Sequence, residues 1–147
     1  MSSPRTPIIA GNWKMHKTGR DAATLVGELK AAVRAVPAAD VDIVVCPPFT
    51  ALAAVGPVLE DSNIQLAAQN VHWEPEGAFT GEVSAPMLRE LSVRYVVVGH
   101  SERRQYFGET NTTVNQRARA ALAHGLRPII CVGELLAHRE EGQTTHI

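Results

Sequence analysis

The decapeptide Tyr95-Val96-Val97-Val98-Gly99-His100-Ser101-Glu102-Arg103-Arg104 changes from apolar to charged within a few residues. Its aromatic and β-branched start predicts a strand buried on both faces, and the following glycine allows a sharp turn. The imidazole of His100 is therefore expected at the carboxyl end of that strand. Ser101 is a typical N-cap, so a helix beginning there would direct backbone N–H groups and a positive dipole end toward the ring. Such a histidine should resist protonation and donate a hydrogen bond to a carbonyl oxygen as it gains negative charge; the alternative is a histidine that only caps a loop.

The overall charge favours small-molecule chemistry over binding to nucleic acid or membranes. The 147 residues include 14 basic and 15 acidic side chains, with a formal charge of -1, which gives no positive field to attract phosphate backbones or anionic lipids. The amino terminus lacks the apolar core of a secretory signal, and no apolar run has the length of a membrane-spanning helix. We therefore expect a cytoplasmic protein that contacts neither nucleic acid nor membrane.

Short apolar strands alternate with helices along the chain, which predicts the α/β class. The strands are predicted at residues 8–10, 41–46, 64–69, 95–98 and 127–132, and the helices at 21–36, from 50 onward, at 84–91 and at 111–124, with a further helix start over 135–141. This alternation predicts a parallel sheet, since each crossover must return the chain to the same edge. Five units of a (β/α)8 barrel correspond to about 155 residues, and no Gly-x-Gly-x-x-Gly follows the first strand. The predicted fold is an incomplete TIM-type barrel of five parallel strands with flanking helices.

Four motifs occur in the order in which they occur in triosephosphate isomerases, and together they closely resemble that family. They are Gly11-Asn12-Trp13-Lys14-Met15, Ala78-Phe79-Thr80-Gly81-Glu82, Gly99-His100-Ser101-Glu102-Arg103-Arg104 and Cys131-Val132-Gly133-Glu134. The similarity extends from about residue 7 to residue 142. The resemblance implies that residues 1–147 are the amino-terminal part of the family's barrel, with strands 1–5 and without strands 6–8.

The resemblance assigns roles to four side chains in the interconversion of dihydroxyacetone phosphate and glyceraldehyde 3-phosphate, a step of glycolysis and gluconeogenesis. Lys14 binds the substrate phosphate and stabilises developing negative charge, and Asn12 positions the substrate. His100 is the electrophile that polarises the carbonyl, and a neutral histidine in this role is already known for the family. Glu102 pairs with Lys14. The reaction needs a base, a hydrogen-bond donor and a cation, and implies no cofactor and no metal.

The catalytic base of the family is not among these residues. It is a glutamate at the end of the sixth strand, and the family's phosphate-binding loops follow strands seven and eight. Glu134 is the carboxylate placed after the fifth strand here, but its position in the family is structural. We therefore expect the isolated chain to be inactive and to need a complementary carboxyl-terminal chain. The alternatives are a non-catalytic half-barrel that self-associates through open sheet edges, and a chain that binds phosphate through Lys14 without turnover.

The loop over residues 70–82 is expected to have a function because of its length, and the resemblance implies that it forms contacts between subunits. In the family it reaches into a neighbouring subunit and brings the equivalent of Thr80 close to those of Asn12 and Lys14. The resemblance also pairs Glu82 with Arg103 in support of that interface. A homo-oligomer is therefore a second possible assembly.

The other polar candidates predict no further site. Both cysteines fall within predicted strands, so buried free thiols are expected at Cys46 and Cys131. Five histidines share no ligand spacing and are expected to be solvated or capping: His16, His72, His124, His138 and His146. Four arginines are expected on a solvated or ion-paired face: Arg103, Arg104, Arg117 and Arg119.

Overall fold

The structure is a computed structural model that describes residues 5–37, 41–134 and 139–143. One sheet contains five strands in the order β1-β2-β3-β4-β5, and all pairings are parallel. The strands are β1 (Ile8–Asn12), β2 (Asp42–Cys46), β3 (Ile64–Ala68), β4 (Tyr95–Val98) and β5 (Arg127–Ile130). Since β2 and β4 contact each other although β3 lies between them, the sheet is curved. The predicted incomplete barrel is confirmed.

Helices occupy every crossover between strands. They are α1 (Gly19–Ala32), α2 (Phe49–Val55), followed by a short 3-10 turn at Gly56–Leu59, α3 (Ala85–Glu90), α4 (Ser101–Tyr106) and α5 (Asn111–Ala123). The first helix ends earlier than the prediction over residues 21–36. Because Pro37 disfavours helical geometry at the preceding residue, the last turn becomes a separate turn closed by a 2.9 Å bond from Val36 N to Val33 O. Most of the segment predicted as a helix at 135–141, together with His138 and His146, lies outside the described residues.

The sheet has two apolar faces, as the composition of β4 predicts. In β4, Val96 and Val98 pack toward the helices, while Tyr95 and Val97 lie on the concave face with Val44 and Cys46 of β2. All four β4 side chains are less than 5% exposed, so the prediction of a strand buried on both faces is confirmed. The outer strands β1 and β5, unlike β4, each pair with a strand on one side only. Large apolar side chains are exposed on them: Ile8, Ile9 and Ile130.

Arg117 is ion-paired, one of the two expected alternatives, but it is buried rather than on the surface. It lies on the buried stripe of α5 and is only 6% exposed. Its Nη1 donates hydrogen bonds to Asn70 Oδ1 at 3.0 Å and Val71 O at 2.5 Å. Glu109 Oε1 lies 3.5 Å from Nε, and Glu82 Oε2 lies 3.6 Å from Nη1. This guanidinium therefore joins α5 to both ends of the long loop, which no sequence argument predicted.

We expect Arg117→Met to destabilise the fold by about 2–3 kcal/mol. This is less than the ~3–5 kcal/mol typical of a buried charge left alone, because Glu109 keeps a second partner in Arg103 at 2.5 Å. Urea unfolding followed by circular dichroism measures the change. Arg119→Met is the matched control, since Arg119 is exposed on the same helix and bonds only Asn115 among the described residues. Equal losses for the two variants would contradict the assigned role.

His72 is also misjudged by the sequence pattern, since it is neither solvated nor capping. His72 is only 6% exposed. The centroid of its ring lies 4.3 Å from the ring centroid of Trp73 and 4.3 Å from that of Phe79. A backbone bond from His72 N to Val83 O, 2.8 Å long, closes the base of the loop. The loop is thus packed against the body of the sheet at its base, while its tip is exposed.

Within the part of the chain that the structure describes, none of the helices combines the length and the apolarity needed to cross a membrane. The same residues contain no group of three or more histidine, cysteine or acidic side chains arranged to hold a metal ion. The two cysteines are free thiols, Cys46 buried and Cys131 half-buried. Burial raises the pKa of the Cys46 thiol to about 12, so it stays protonated at neutral pH.

Candidate active site

The predicted site residues lie at the end of the sheet where the carboxyl termini of the strands meet. Asn12 is the last residue of β1, and Lys14 follows it by two residues; His100 follows β4 after a single glycine. Since the strands are parallel, their carboxyl ends lie at the same end of the sheet. Glu102 then lies in the first turn of α4. The polar groups predicted from separate motifs are therefore brought to one end of the half-barrel.

Lys14 is held in an unusual backbone conformation by two amide side chains. Its φ is +53°, in the left-handed region that non-glycine residues seldom adopt. Asn12 Oδ1 accepts a hydrogen bond from Lys14 N at 3.0 Å. Gln69 Nε2 donates to Lys14 O and to Cys46 O, both at 2.8 Å. Gln69 therefore connects the ends of the first three strands, a role that its place at the end of an apolar strand could have suggested.

The predicted pair between Lys14 and Glu102 is confirmed. Lys14 Nζ lies 2.7 Å from Glu102 Oε1, with the two side chains 52% and 41% exposed. The hydrogen bond from Lys14 holds the pKa of the Glu102 carboxyl below its ordinary value. A carboxylate with a lowered pKa is a poor base at neutral pH. Glu102 in this pair is therefore poorly suited to abstracting a proton at neutral pH.

We expect Lys14→Met to raise the pKa of Glu102 back toward that of an ordinary carboxyl. A lowered pKa in the folded state means that the pair is intact at neutral pH and is lost as the pH falls through the depressed value. A carbon-13 NMR titration of the glutamate carboxyls measures this shift. Lys17→Met is the control, since Lys17 is an exposed lysine three residues away. A Glu102 titration that is the same in both variants would refute the assignment.

His100 itself caps α4, which corrects the expectation that Ser101 does so. The backbone of His100 is extended (φ -55°, ψ 142°), and its Nδ1 accepts a hydrogen bond from Glu102 N at 3.3 Å. Ser101 is instead the first helical residue, with an exposed side chain. Glu102 Oε2 also lies 3.4 Å from this Nδ1. In the tautomer that accepts from Glu102 N, the ring proton is on Nε2. The cap and the predicted donor role are therefore compatible, because they use different nitrogens.

Arg104 fixes the turn that presents His100. Its Nε donates to Gly99 O at 2.8 Å, and its Nη1 donates to Asn111 Oδ1 at 2.8 Å. Gly99 has a φ of +70°, and a Cβ there would lie 2.9 Å from the methyl groups of Val114. The position therefore excludes a side chain for two independent reasons. The guanidinium ties the end of β4 to the start of α5 and leaves little freedom to the peptide before His100.

The three residues predicted at a subunit interface lie on or beside the long loop. Thr80 is exposed near its tip. Arg103 contacts Glu109 at 2.5 Å, and Glu82 Oε2 lies 3.5 Å from His72 Nδ1. Within one chain, Glu82 and Arg103 are therefore connected through the buried Arg117 network rather than directly. Glu134 is held by Arg139, whose Nε lies 2.5 Å from its Oε1.

Comparisons with known proteins agree on one family. The family model described as triosephosphate isomerase matches residues 7–147. Curated proteins of that name from Chloroflexus aurantiacus and from Synechococcus sp. (strain JA-2-3B'a(2-13)) are each 57% identical over 143 residues, which cover 97% and 95% of this chain and 56% and 57% of the relatives. The Moorella thermoacetica protein is 56% identical over 97% of this chain and 56% of its own length. The chain thus spans a little over half the length of the curated relatives it matches.

Proposed function

The chain belongs to the triosephosphate isomerase family, and from that premise we propose that it supplies one half of an active site that interconverts dihydroxyacetone phosphate and glyceraldehyde 3-phosphate. The observation that carries the proposal is the gathering of Asn12, Lys14 and His100 at the carboxyl ends of parallel strands. In barrels of this kind, active sites lie at that end.

Each of these residues supplies a separate part of the chemistry. The Lys14 ammonium attracts the substrate phosphate and stabilises the negative charge of an enediolate. The Asn12 carbonyl oxygen is occupied by Lys14 N, so its NH2 group remains to bind substrate oxygens. His100 donates from Nε2 to the carbonyl oxygen and can pass the proton between neighbouring oxygens.

The base must come from residues other than Glu102, whose carboxylate is engaged by Lys14. We infer that it lies beyond these 147 residues, on the same polypeptide or on a complementary carboxyl-terminal chain, together with the remaining phosphate contacts. This agrees with the relatives being nearly twice as long as the matched region. The 147 residues alone are expected to be inactive.

A mixing experiment tests the proposal. The purified chain is titrated with a chain that carries the last three βα units of a relative, and isomerisation is followed by a coupled assay. We expect activity that saturates at one complementary chain per chain, and none from either component alone. No recovery at any ratio would contradict the proposal, and activity without a partner would show that a group within these residues serves as the base.

A second candidate is a structural assembly formed through the sheet edges. Ile8 and Ile9 of β1 are 47% and 66% exposed, and Ile130 of β5 is 50% exposed. Unpaired strand edges with apolar side chains favour association with other strands. Sedimentation of the chain alone separates the two candidates. A stable oligomer that the complementary chain cannot dissociate would favour the structural one.

The long loop provides the proposed contact between subunits. Thr80 and the apolar Phe79 are exposed at its tip, 42% for the latter, while Arg117 anchors its base. We propose that the tip docks on a neighbouring subunit, with Glu82 and Arg103 supporting it from beneath. Loop cleavage by a protease at concentrations where subunits associate would argue against the docking.

We also propose that the protein acts in the cytoplasm, as is typical of a small-molecule enzyme without net positive charge.

A further inference from the structure

Three polar side chains join non-adjacent strands across the concave face, at the end of the sheet opposite the active site. Tyr95 of β4 donates from its hydroxyl to Asp42 Oδ2 of β2 at 2.5 Å. Arg127 of β5 donates from Nη1 to the same hydroxyl oxygen at 2.9 Å and lies 3.5 Å from Asp42 Oδ2. We call Asp42, Tyr95 and Arg127 the cross-sheet link.

The cross-sheet link requires a curved sheet. Neighbouring strands lie about 4.8 Å apart, so β2 would be about 9.6 Å from β4 and about 14 Å from β5 in a flat sheet. Side chains that stand perpendicular to a flat sheet would also run parallel to one another rather than converge. Direct contact between β2 and β4 over the intervening strand shows that the curvature is present. The link therefore stabilises the curved sheet relative to a flatter one.

The link is better placed to hold this curvature than the salt bridge at the other end of the sheet. Lys14 and Glu102 also span from β1 to the helix after β4, but their side chains are about half exposed. Exposed ion pairs contribute little and weaken in salt. Tyr95 is only 3% exposed, and burial followed by its bond to Asp42 raises the pKa of its phenol. The hydroxyl therefore keeps the proton that it donates.

We propose that Tyr95, through Asp42 and Arg127, is a positioning residue that sets the curvature of the half-barrel and so brings Lys14 within reach of Glu102 and His100 before the remaining strands are added. The inference rests on the proposed function only for the purpose that the curvature serves. The cross-sheet link itself lies within this chain, and its effect on curvature can be tested without isomerase activity.

The test uses a zero-length chemical coupling as a ruler at the active-site end. A water-soluble carbodiimide joins an amine to a carboxylate only when the two are in contact, and Lys14 Nζ lies 2.7 Å from Glu102 Oε1. The Lys14–Glu102 peptide is quantified by mass spectrometry, with Glu102→Gln to confirm its identity. We expect Tyr95→Phe to lower the coupling yield on the order of tenfold, since reactions between fixed groups fall steeply with misplacement.

Matched variants separate positioning from general loss of stability. Tyr106→Phe alters the other tyrosine, which is 68% exposed, and should leave the yield unchanged. Val96→Ala weakens the opposite, helix-facing side of β4 and should lower the urea midpoint but not the yield. Arg127→Met should reduce the yield less than Tyr95→Phe does, because the Arg127 side chain is 72% exposed. Arg127→Lys should restore part of that loss, because the lysine can still donate to Tyr95.

The coupling yields decide whether the cross-sheet link positions Lys14 and Glu102. An unchanged yield in Tyr95→Phe overturns the inference, as does the absence of coupling in the parent chain. If Tyr95→Phe fails to fold, Asp42→Ala decides the outcome, because it removes the acceptor of the Tyr95 hydroxyl from a position at the start of β2 where the side chain is 25% exposed. An Asp42→Ala yield equal to that of the parent would then refute the proposal.

Discussion

Replacing Lys14 by methionine is expected to lower kcat/KM of the reconstituted isomerase by about 10³-fold or more. Removing one preorganised group that stabilises developing charge typically costs about 10²–10³-fold, and Lys14 is also proposed to bind the substrate phosphate. A thousandfold loss corresponds to about 4 kcal/mol of transition-state stabilisation. Steady-state kinetics of the mixed chains measures the effect. A rise in KM together with a fall in kcat is expected, because one ammonium acts in binding and in catalysis.

Lys17→Met is the control for the loss of a nearby positive charge. Lys17 is also a lysine with a left-handed backbone, φ +74°, but it is exposed and forms no ion pair within residues 5–37, 41–134 and 139–143. Its variant should retain full activity. If both variants lose activity equally, the effect is one of local folding or general charge. If neither does, Lys14 has no catalytic role.

The active-site end of this fold is predictable because its determinants are local in sequence. An apolar run, a glycine and a charged helix start place His100 at the tip of β4, as the structure confirms. The Lys14–Glu102 pair followed from the resemblance, since no local pattern connects residues 88 positions apart. The sequence favours Ser101 over His100 as the cap because serine is the commoner N-cap, whereas in the structure an imidazole nitrogen is the acceptor.

The buried charges could not be predicted from the sequence, because each depends on partners distant in the chain. Arg117 lies on the stripe of α5 that also carries Val114, Ala118 and Ala121, but a charged residue is normally expected at the surface. It is buried because Asn70, Val71 and Glu109 supply its hydrogen bonds and counter-charge. Tyr95 is similar, since its hydroxyl meets Asp42 only when the sheet is curved. Burial of a charged or polar group follows from the tertiary arrangement of its partners, which periodicity does not encode.

His100→Gln in the reconstituted enzyme is expected to lower kcat by about 10²–10³-fold, within the ~10²–10⁴-fold that a positioned acid or base typically contributes. Glutamine retains a donor for the carbonyl oxygen but cannot pass a proton between the two substrate oxygens. Because substrate binding depends mainly on Lys14 and Asn12 in the proposed site, KM should change much less than kcat. Steady-state kinetics in both directions measures the two constants separately.

His124→Gln provides the matched comparison. His124 also caps a helix, at the carboxyl end of α5, with Nδ1 2.9 Å from Ala120 O, but it lies near the amino end of β5 and away from the site. Its variant should retain activity. The donor role of His100 requires the proton of its neutral ring to be on Nε2, and nitrogen-15 NMR of the labelled chain measures that tautomer directly. A protonated ring at neutral pH, or a proton on Nδ1, would contradict the cap at Glu102 N and with it the donor role. A His100→Gln variant that loses affinity but not turnover would instead make the imidazole a binding group.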